Sequence, residues 1–231
     1  MKRLRPVLTG ALATALAIGC SVTWVGSLAA GDDAVSARVD LAREAYRELM
    51  KSPDRSVPES LLKGCKGIAI FPHVVKGAFV FGARYGRGVV CCRDSAGRWS
   101  PPAFFTLAGG SVGWQIGAEA TDVVLVFMTT RGTRSLLESQ FTLGGNLSVA
   151  AGPIGRSAEA STDVKFNAEI YSYALSKGAY AGISLEGANI AADKKSDQAF
   201  YGAPVATDQI LFHHKVPRRP PEVARLLGAL P

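Results

Sequence analysis

One short motif in this chain has the spacing of a hydrolase nucleophile. Gly109, Ser111 and Gly113 fit the pattern G-x-S-x-G, in which a tight turn between a strand and a helix exposes a serine. The residues that follow, WQIGAEATDVVLVF, favour a pair of strands over a helix. A general base would have to be one of three histidines: His73, His213 or His214. We therefore predict that Ser111 is structural and that the chain is not an enzyme, with a serine hydrolase using Ser111 as a remote alternative.

The sequence contains no residue spacing typical of a metal or cofactor site. His213 and His214 are adjacent, so on a helix their side chains point in different directions. Asp193 and Asp197 flank two lysines, which is unlike a calcium-binding loop. The phosphate-binding pattern G-x-x-x-x-G-K-[ST] does not occur. We predict that the protein uses no metal and no cofactor.

The N-terminal segment has the composition of an export signal. The basic start MKRLRP precedes the apolar run VLTGALATALAIGC. Three outcomes are open: lipidation of Cys20 after AIGC, cleavage near Ala30, or an uncleaved anchor from Val7 to Ala30. All three predict a domain outside the cytoplasm, periplasmic or at the outer membrane, and the first of them adds a lipid anchor at Cys20. We assign residues 1–30 to the leader and 31–231 to one domain.

Basic residues are concentrated between positions 63 and 98, where Asp94 is the only acid. The whole chain carries a formal charge of +7. For an exported protein, such a cluster suits an anionic membrane surface better than nucleic acid. A solvated face of a sheet is the ordinary alternative. The candidate lipid-binding residues are Lys63, Lys66, Lys76, Arg84 and Arg87.

Apart from Cys20, the chain has cysteines at 65, 91 and 92. Cys91 and Cys92 are neighbours and point to opposite faces if they lie in a strand. A disulfide from Cys65 to one of them and three buried free thiols both remain open.

The elements that must position these residues follow from hydrophobic spacing. Ala34 to Lys51 has an apolar helix face that favours packing on the domain, with a lipid interface as the minority alternative. Ser56 to Glu59 predicts a capping box before a short helix around Leu61 and Leu62. Short connections and glycines inside the strands predict a curved, mainly antiparallel sheet, partly closed, in an α+β fold with helices at the N- and C-terminal ends.

The predicted strands have a period of two, and a loop is expected at Asp193 to Gly202. A helix is expected near Thr133 to Gln140, another from a Thr207 cap to His214, and a last one from Pro221 to Leu230. The strand ranges are Gly67 to Phe71, Ala78 to Tyr85, Gly88 to Arg93, Ala103 to Leu107, Ser111 to Ala118, Val123 to Thr130, Phe141 to Ala151, Ala168 to Leu175 and Ala179 to Ile190.

Several long motifs in order resemble one family, the SYLF domain. They include KGAFVFGARYGRG, GRWSPPAFF, GGSVGWQIGAEATD, TLGGNLSVAAGPIGR and AGISLEGANI, and the resemblance covers roughly Leu41 to Val216. SYLF domains are found in bacterial exported proteins and in eukaryotic membrane-trafficking and cortical-actin proteins. The resemblance implies binding of phosphoinositides or other anionic lipids, actin binding in some eukaryotic members, and no established catalysis.

Together these observations predict an exported, membrane-associated, non-catalytic protein that binds anionic phospholipid. The alternative is a structural or protein-interaction protein of the envelope, actin-binding-like or adhesive, with a protein partner. Nucleic acid is not an expected partner.

Overall fold

The computed structural model describes residues 26–51, 57–78, 82–111, 117–145, 147–153, 168–176, 179–182 and 185–231. Residues 1–25, which include Cys20 and most of the predicted leader, lie outside these residues. Within them, no helix combines the length and the apolar character that crossing a bilayer requires.

The fold begins with a long amphipathic helix, α1 (Gly26–Met50). Its apolar face is buried at Val35, Val39, Ala42, Tyr46 and Leu49. These residues recur every three or four positions, so they line one side of the helix. The predicted packing of this segment on the domain is confirmed.

The described strands form one nine-stranded sheet in the order β5-β9-β3-β2-β1-β4-β7-β6, with β8 paired to β7. All pairs are antiparallel except β6 with β7. The predicted curved, mainly antiparallel sheet with helices at both ends is confirmed. The strands are β1 (Gly67–Ala78), β2 (Gly82–Cys92), β3 (Ala103–Ser111), β4 (Gly117–Phe127), β5 (Phe141–Thr142), β6 (Val149–Ala151), β7 (Ile170–Ser176), β8 (Ala179–Gly182) and β9 (Asn189–Ala192).

A bulge in β1 gives the sheet part of its curvature. The pairing register of β1 with β4 shifts between Phe71 and Val74. On the neighbouring strand β2, Gly88 lies under this bulge, where a Cβ atom would be 2.2 Å from the carbonyl oxygen of Ile70. The glycine is required by the close approach of two backbones, as the strand glycines predicted.

Short helices lie before, between and after the strands in the chain, and two of those at the C-terminal end pack beside α1. They are α2 (Glu59–Gly64), α3 (Thr130–Arg134), a 3₁₀ turn (Ser135–Leu137), α4 (Lys194–Tyr201), α5 (Thr207–Leu211) and α6 (Pro221–Leu227). Phe200 on α4 makes an edge contact with Phe104 on β3, with ring centroids 5.1 Å apart. The C-terminal helices and α1 thus share one core with the sheet.

The loop predicted at Asp193 to Gly202 is wrong, because α4 occupies it. Asp193 caps this helix by accepting a hydrogen bond from the Ser196 backbone N–H. Gly202 ends it with a φ of 75°. Both signals were present in the sequence, but the lysines and the neighbouring turn residues obscured a helix of only two turns.

Other predicted boundaries also differ from the structure. β2 is continuous where two strands were expected, because its glycines pack under the β1 bulge instead of forming a turn. The strand predicted from Phe141 to Ala151 is two short strands, and so is that from Ala179 to Ile190. α2 begins at Glu59, directly after Pro58, and Ser56 of the predicted capping box lies outside the described residues. Thr207 lies inside α5 and does not cap it.

Candidate interaction surface

The G-x-S-x-G serine lies at the end of a strand. Ser111 is the last residue of β3, and the next described element is strand β4, beginning at Gly117. A nucleophile elbow needs a strand before the serine and a helix after it. In the described part of the chain, β3 ends at Ser111, and the next element is a second strand and not a helix. Across the same described ranges, no group of three or more His, Cys, Asp or Glu side chains is placed to hold a metal ion.

The three described cysteines are buried free thiols: Cys65, Cys91 and Cys92. Burial raises the pKa of Cys65 to about 11. The thiol is therefore protonated and unreactive near neutral pH. The disulfide that the sequence left open is not formed in this structure.

The five candidate lipid-binding residues divide into two groups at opposite ends of β1. Lys63 and Lys66 precede the strand, and Lys63 forms an ion pair with Glu59 at 2.9 Å. Lys76 lies near the other end and pairs directly across the sheet with Arg84. Lys66 and Lys76 are ten positions apart along the extended chain, which separates the groups by about 30 Å. The structure therefore does not bring the five residues together on one surface; lipid binding by either group stays a prediction.

Arg87 points to the sheet face opposite Lys76 and Arg84. Its neighbour on that face is Tyr85, and the Arg87 Nε–H donates a hydrogen bond to the Tyr85 hydroxyl at 3.0 Å. The guanidinium carbon lies 6.0 Å from the centre of the Tyr85 ring. Arg87 is thus held beside an exposed aromatic side chain.

A row of exposed apolar side chains crosses four central strands on the face that carries Tyr85. The pairing register places Ala108, Tyr85, Val75 and Ala120 side by side on β3, β2, β1 and β4. Val75 is 52% exposed and Tyr85 is 47% exposed. We call these four residues the open row. Sequence analysis missed it, because the row exists only in the register between strands.

Helix α1 covers the continuation of the same sheet face. Its Arg38 guanidinium lies 5.3 Å from the centre of the Phe104 ring, which belongs to this face. Between α1 and the open row lies one polar row that includes Arg87, His73 and Asp122. The Asp122 carboxylate accepts a hydrogen bond from the His73 backbone N–H at 2.8 Å, which holds the bulge in place. Half of the face is therefore packed and half is open to solvent.

A small pocket of about 170 Å³ lies where α1 meets the bulge. Residues of α1 and of the sheet beside the bulge line it, and they include both apolar and acidic side chains. The apolar residues are Leu41, Ala45 and Pro72, and the acids are Glu44, Glu48 and Asp122. We call it the acidic pocket.

A larger groove of about 740 Å³ lies elsewhere, between the 3₁₀ turn and the segment that leads into α5. Its walls include Leu137, which is 42% exposed, and Lys194. Ala192 of β9 lines this groove, and none of the four residues of the open row does.

Comparison with known proteins assigns the family. The model of the Ysc84 family, described as Las17-binding protein actin regulator, matches residues 108–231. The chain belongs to this family. The predicted resemblance to the SYLF domain is thereby confirmed, and the family is of a binding and regulatory type instead of a known enzyme type.

Similar proteins come from animals and yeast. SH3 domain-containing YSC84-like protein 1 of Xenopus laevis is 37% identical over 162 residues, which are 69% of this chain and 48% of that protein. LAS seventeen-binding protein 3 of Saccharomyces cerevisiae is 38% identical over 180 residues, 77% of this chain and 39% of that protein. Protein YSC84 of the same yeast is 38% identical over 178 residues, which are 75% of this chain and 38% of that protein. The chain spans less than half the length of these relatives.

Proposed function

We propose that this chain is a protein-interaction module of the actin-regulator type, and that it binds its protein partner through the open row. The family description and the relatives named for Las17 binding support a protein partner. This is the alternative that the sequence offered beside phospholipid binding, and the comparisons support it better.

The observation that carries the proposal is the exposure of Val75 and Tyr85 at the centre of the sheet. Exposed apolar residues are ordinary when scattered, but a row across adjacent strands forms a continuous patch. Tyr and Arg are enriched at the energetic centres of protein interfaces, and Arg87 stacks beside Tyr85 at this patch.

The test is binding of the full chain to filamentous actin and, separately, to purified yeast Las17. A Val75→Asp, Tyr85→Asp double variant should weaken binding to the true partner about thirtyfold or more, as expected for the centre of an interface. Leu137→Asp is the matched control, since Leu137 is a similarly exposed apolar residue in the larger groove. Circular dichroism checks that each variant folds. Loss of binding in Leu137→Asp alone, or binding to neither protein, would contradict the proposal.

Binding of anionic phospholipid is the second candidate function. Lys76 and Arg84 lie on one face of the β1–β2 hairpin, and Arg87 lies on the other face beside the exposed Val75 and Tyr85. Apolar side chains with basic neighbours suit a membrane surface, where each basic residue contributes about 1 kcal/mol.

Vesicle sedimentation separates the two functions. Leader-free chain should bind phosphatidylserine vesicles better than phosphatidylcholine vesicles, and Lys76→Gln, Arg84→Gln, Arg87→Gln should remove about two orders of magnitude of that affinity. Lys63→Gln, Lys66→Gln is the control at the other end of β1, and about 0.5 M salt should weaken binding. Equal binding to both vesicle types would exclude this function.

Export is also proposed, from the leader sequence. If Cys20 is lipidated, membrane-fraction protein should carry a diacylglyceryl mass that Cys20→Ala abolishes. A mature chain that begins near Gly31 without added mass would replace the lipid anchor with ordinary cleavage.

A further inference from the structure

The pocket beside the open row is acidic, although the whole chain carries a formal charge of +7 and Arg87 lies on the same face. Glu44, Glu48 and Asp122 surround the acidic pocket, and neither lysine nor arginine is among the described residues that line it. Asp122 belongs to β4, two positions from Ala120 in the open row. Because alternate residues of a strand point to the same face, the pocket and the row form one continuous surface.

From this geometry we infer that the partner segment places a lysine or arginine in the acidic pocket while its apolar side chains cover the open row. The inference rests on the proposed protein-binding function and specifies the chemistry of the partner. Along β4 the two subsites are about 7 Å apart. An extended segment spans this distance between residues i and i+2, and a helix does so between i and i+4.

The acids of the pocket are accessible to such a cation. Glu44 is exposed, and Glu48 is paired with Lys51 in an ion pair whose side chains are 44% and 70% exposed. An exposed pair of this kind contributes little, so an incoming basic side chain can replace Lys51 at small cost. The stem of a lysine or arginine can also lie along the apolar floor at Leu41, Ala45 and Pro72.

The same charges argue against a membrane on this surface. A bilayer that covered the open row would bring its phosphate groups toward the acidic pocket, where three carboxylates repel them. A basic protein segment gains from these carboxylates instead. At the acidic pocket, a basic protein segment is therefore favoured over phospholipid, whereas Arg87 on the same face carries the opposite charge.

The test uses two capped peptides that share alternating leucines and differ at one central position, arginine in one and glutamate in the other. Binding to the ¹⁵N-labelled full chain is followed by NMR chemical shifts. The arginine peptide should bind about fivefold more tightly, since each exposed charge pair contributes less than about 1 kcal/mol. The overall positive charge favours the glutamate peptide, so this preference cannot come from long-range attraction.

Variants assign the preference to the pocket. Glu44→Gln, Glu48→Gln should remove it, while Glu138→Gln, Glu186→Gln, which changes exposed acids outside this surface, should preserve it. If the two peptides bind equally and Val75→Asp, Tyr85→Asp abolishes both, the inference is overturned and the open row stands as an interface. If neither peptide binds, the inference also fails, and the actin and Las17 experiment decides the proposed function separately.

Discussion

Among single residues, Asp197 has the most unusual environment. It is fully buried on α4, and its carboxylate accepts a hydrogen bond from the Phe104 backbone N–H at 2.9 Å. Its second oxygen has no hydrogen-bond partner among the described residues. Burial raises the pKa of Asp197 to about 7 from its ordinary value of 3.8. The carboxylate therefore joins α4 to β3 and becomes charged near neutral pH.

This pKa predicts how stability depends on pH. Between about pH 4 and pH 7 the folded protein holds a proton on Asp197 that the unfolded chain has lost, so the free energy of unfolding falls as pH rises. Asp197→Asn keeps the acceptor for Phe104 but has no charge. Measured by urea unfolding, the free energy of unfolding of the variant should rise relative to that of the wild type by about 2–4 kcal/mol from pH 4 to pH 8. If the free energy of unfolding depends on pH in the same way in both proteins, this account is contradicted.

Gly88 provides a second prediction at this scale. A Cβ at this position would lie 2.2 Å from the Ile70 carbonyl oxygen and 2.8 Å from the Phe71 Cα. Both atoms belong to the backbone of the bulge, so they cannot move aside. Gly88→Ala should therefore lower the free energy of unfolding by about 3 kcal/mol or more. At Gly110, by contrast, an added Cβ would meet nothing within 4 Å in the described part of the chain. Gly110→Ala should therefore change the thermal midpoint little, and equal losses in the two variants would be inconsistent with the close approach.

At the scale of elements, α1 is fastened to α4 through Arg38. The Arg38 Nη1 lies 3.2 Å from the Asp193 carboxylate and donates a hydrogen bond to the Ser196 hydroxyl at 3.1 Å. The side chains of Arg38 and Asp193 are only 11% and 17% exposed. Hydrogen bonds of Ser196 lower the pKa of Asp193 against the effect of burial, which keeps this partner ionised.

We predict that Arg38→Ala loosens α1. The variant leaves Asp193 partly buried without its cation, so the free energy of unfolding should fall by about 2 kcal/mol. Amide hydrogen exchange along residues 35–50 should become faster. Arg47→Ala, on the exposed side of the same helix, is the control and should have little effect. Unchanged exchange in Arg38→Ala would mean that the apolar face alone holds α1.

At the scale of the whole molecule, Arg93 connects three distant segments. Its Nη1 donates hydrogen bonds to the carbonyl oxygens of Leu62 at 3.2 Å and Lys63 at 3.1 Å. Its guanidinium stacks 4.5 Å from the centre of the Trp99 ring. It also donates to a main-chain oxygen of Pro231, the last residue of the sequence, and this oxygen accepts a second hydrogen bond from Trp99 Nε1 at 2.8 Å.

Arg93→Lys should therefore destabilise the whole domain, because an ammonium cannot reproduce several directed bonds and a stacked plane. We expect a loss of about 1–3 kcal/mol, because lysine keeps the charge but loses the directed hydrogen bonds to the Leu62 and Lys63 carbonyl oxygens and the stacking on Trp99. Arg98→Gln is the contrast: it breaks an exposed ion pair with Asp94, so its smaller effect should vanish in high salt. Thermal unfolding at two salt concentrations measures both. Wild-type stability of Arg93→Lys would show that the charge, which lysine retains, is sufficient without the geometry of the guanidinium.

The sequence determined what depends on neighbours along the chain. The apolar spacing of α1 predicted its buried face, and alternation with internal glycines predicted a curved antiparallel sheet. Both patterns are local, because a helix face and a strand face are fixed by which residues lie two to four positions apart. The ordered glycine-rich motifs also sufficed to indicate the family that residues 108–231 match.

Tertiary structure decided everything that depends on register between distant strands. The open row joins Ala108, Tyr85, Val75 and Ala120 from four strands, and no spacing along the chain relates them. The basic residues from Lys63 to Arg87 are close in sequence, yet an extended strand carries one group about 30 Å from the other. Pairing between strands, and the coverage of only half a sheet face by α1, set which side chains meet and which stay exposed.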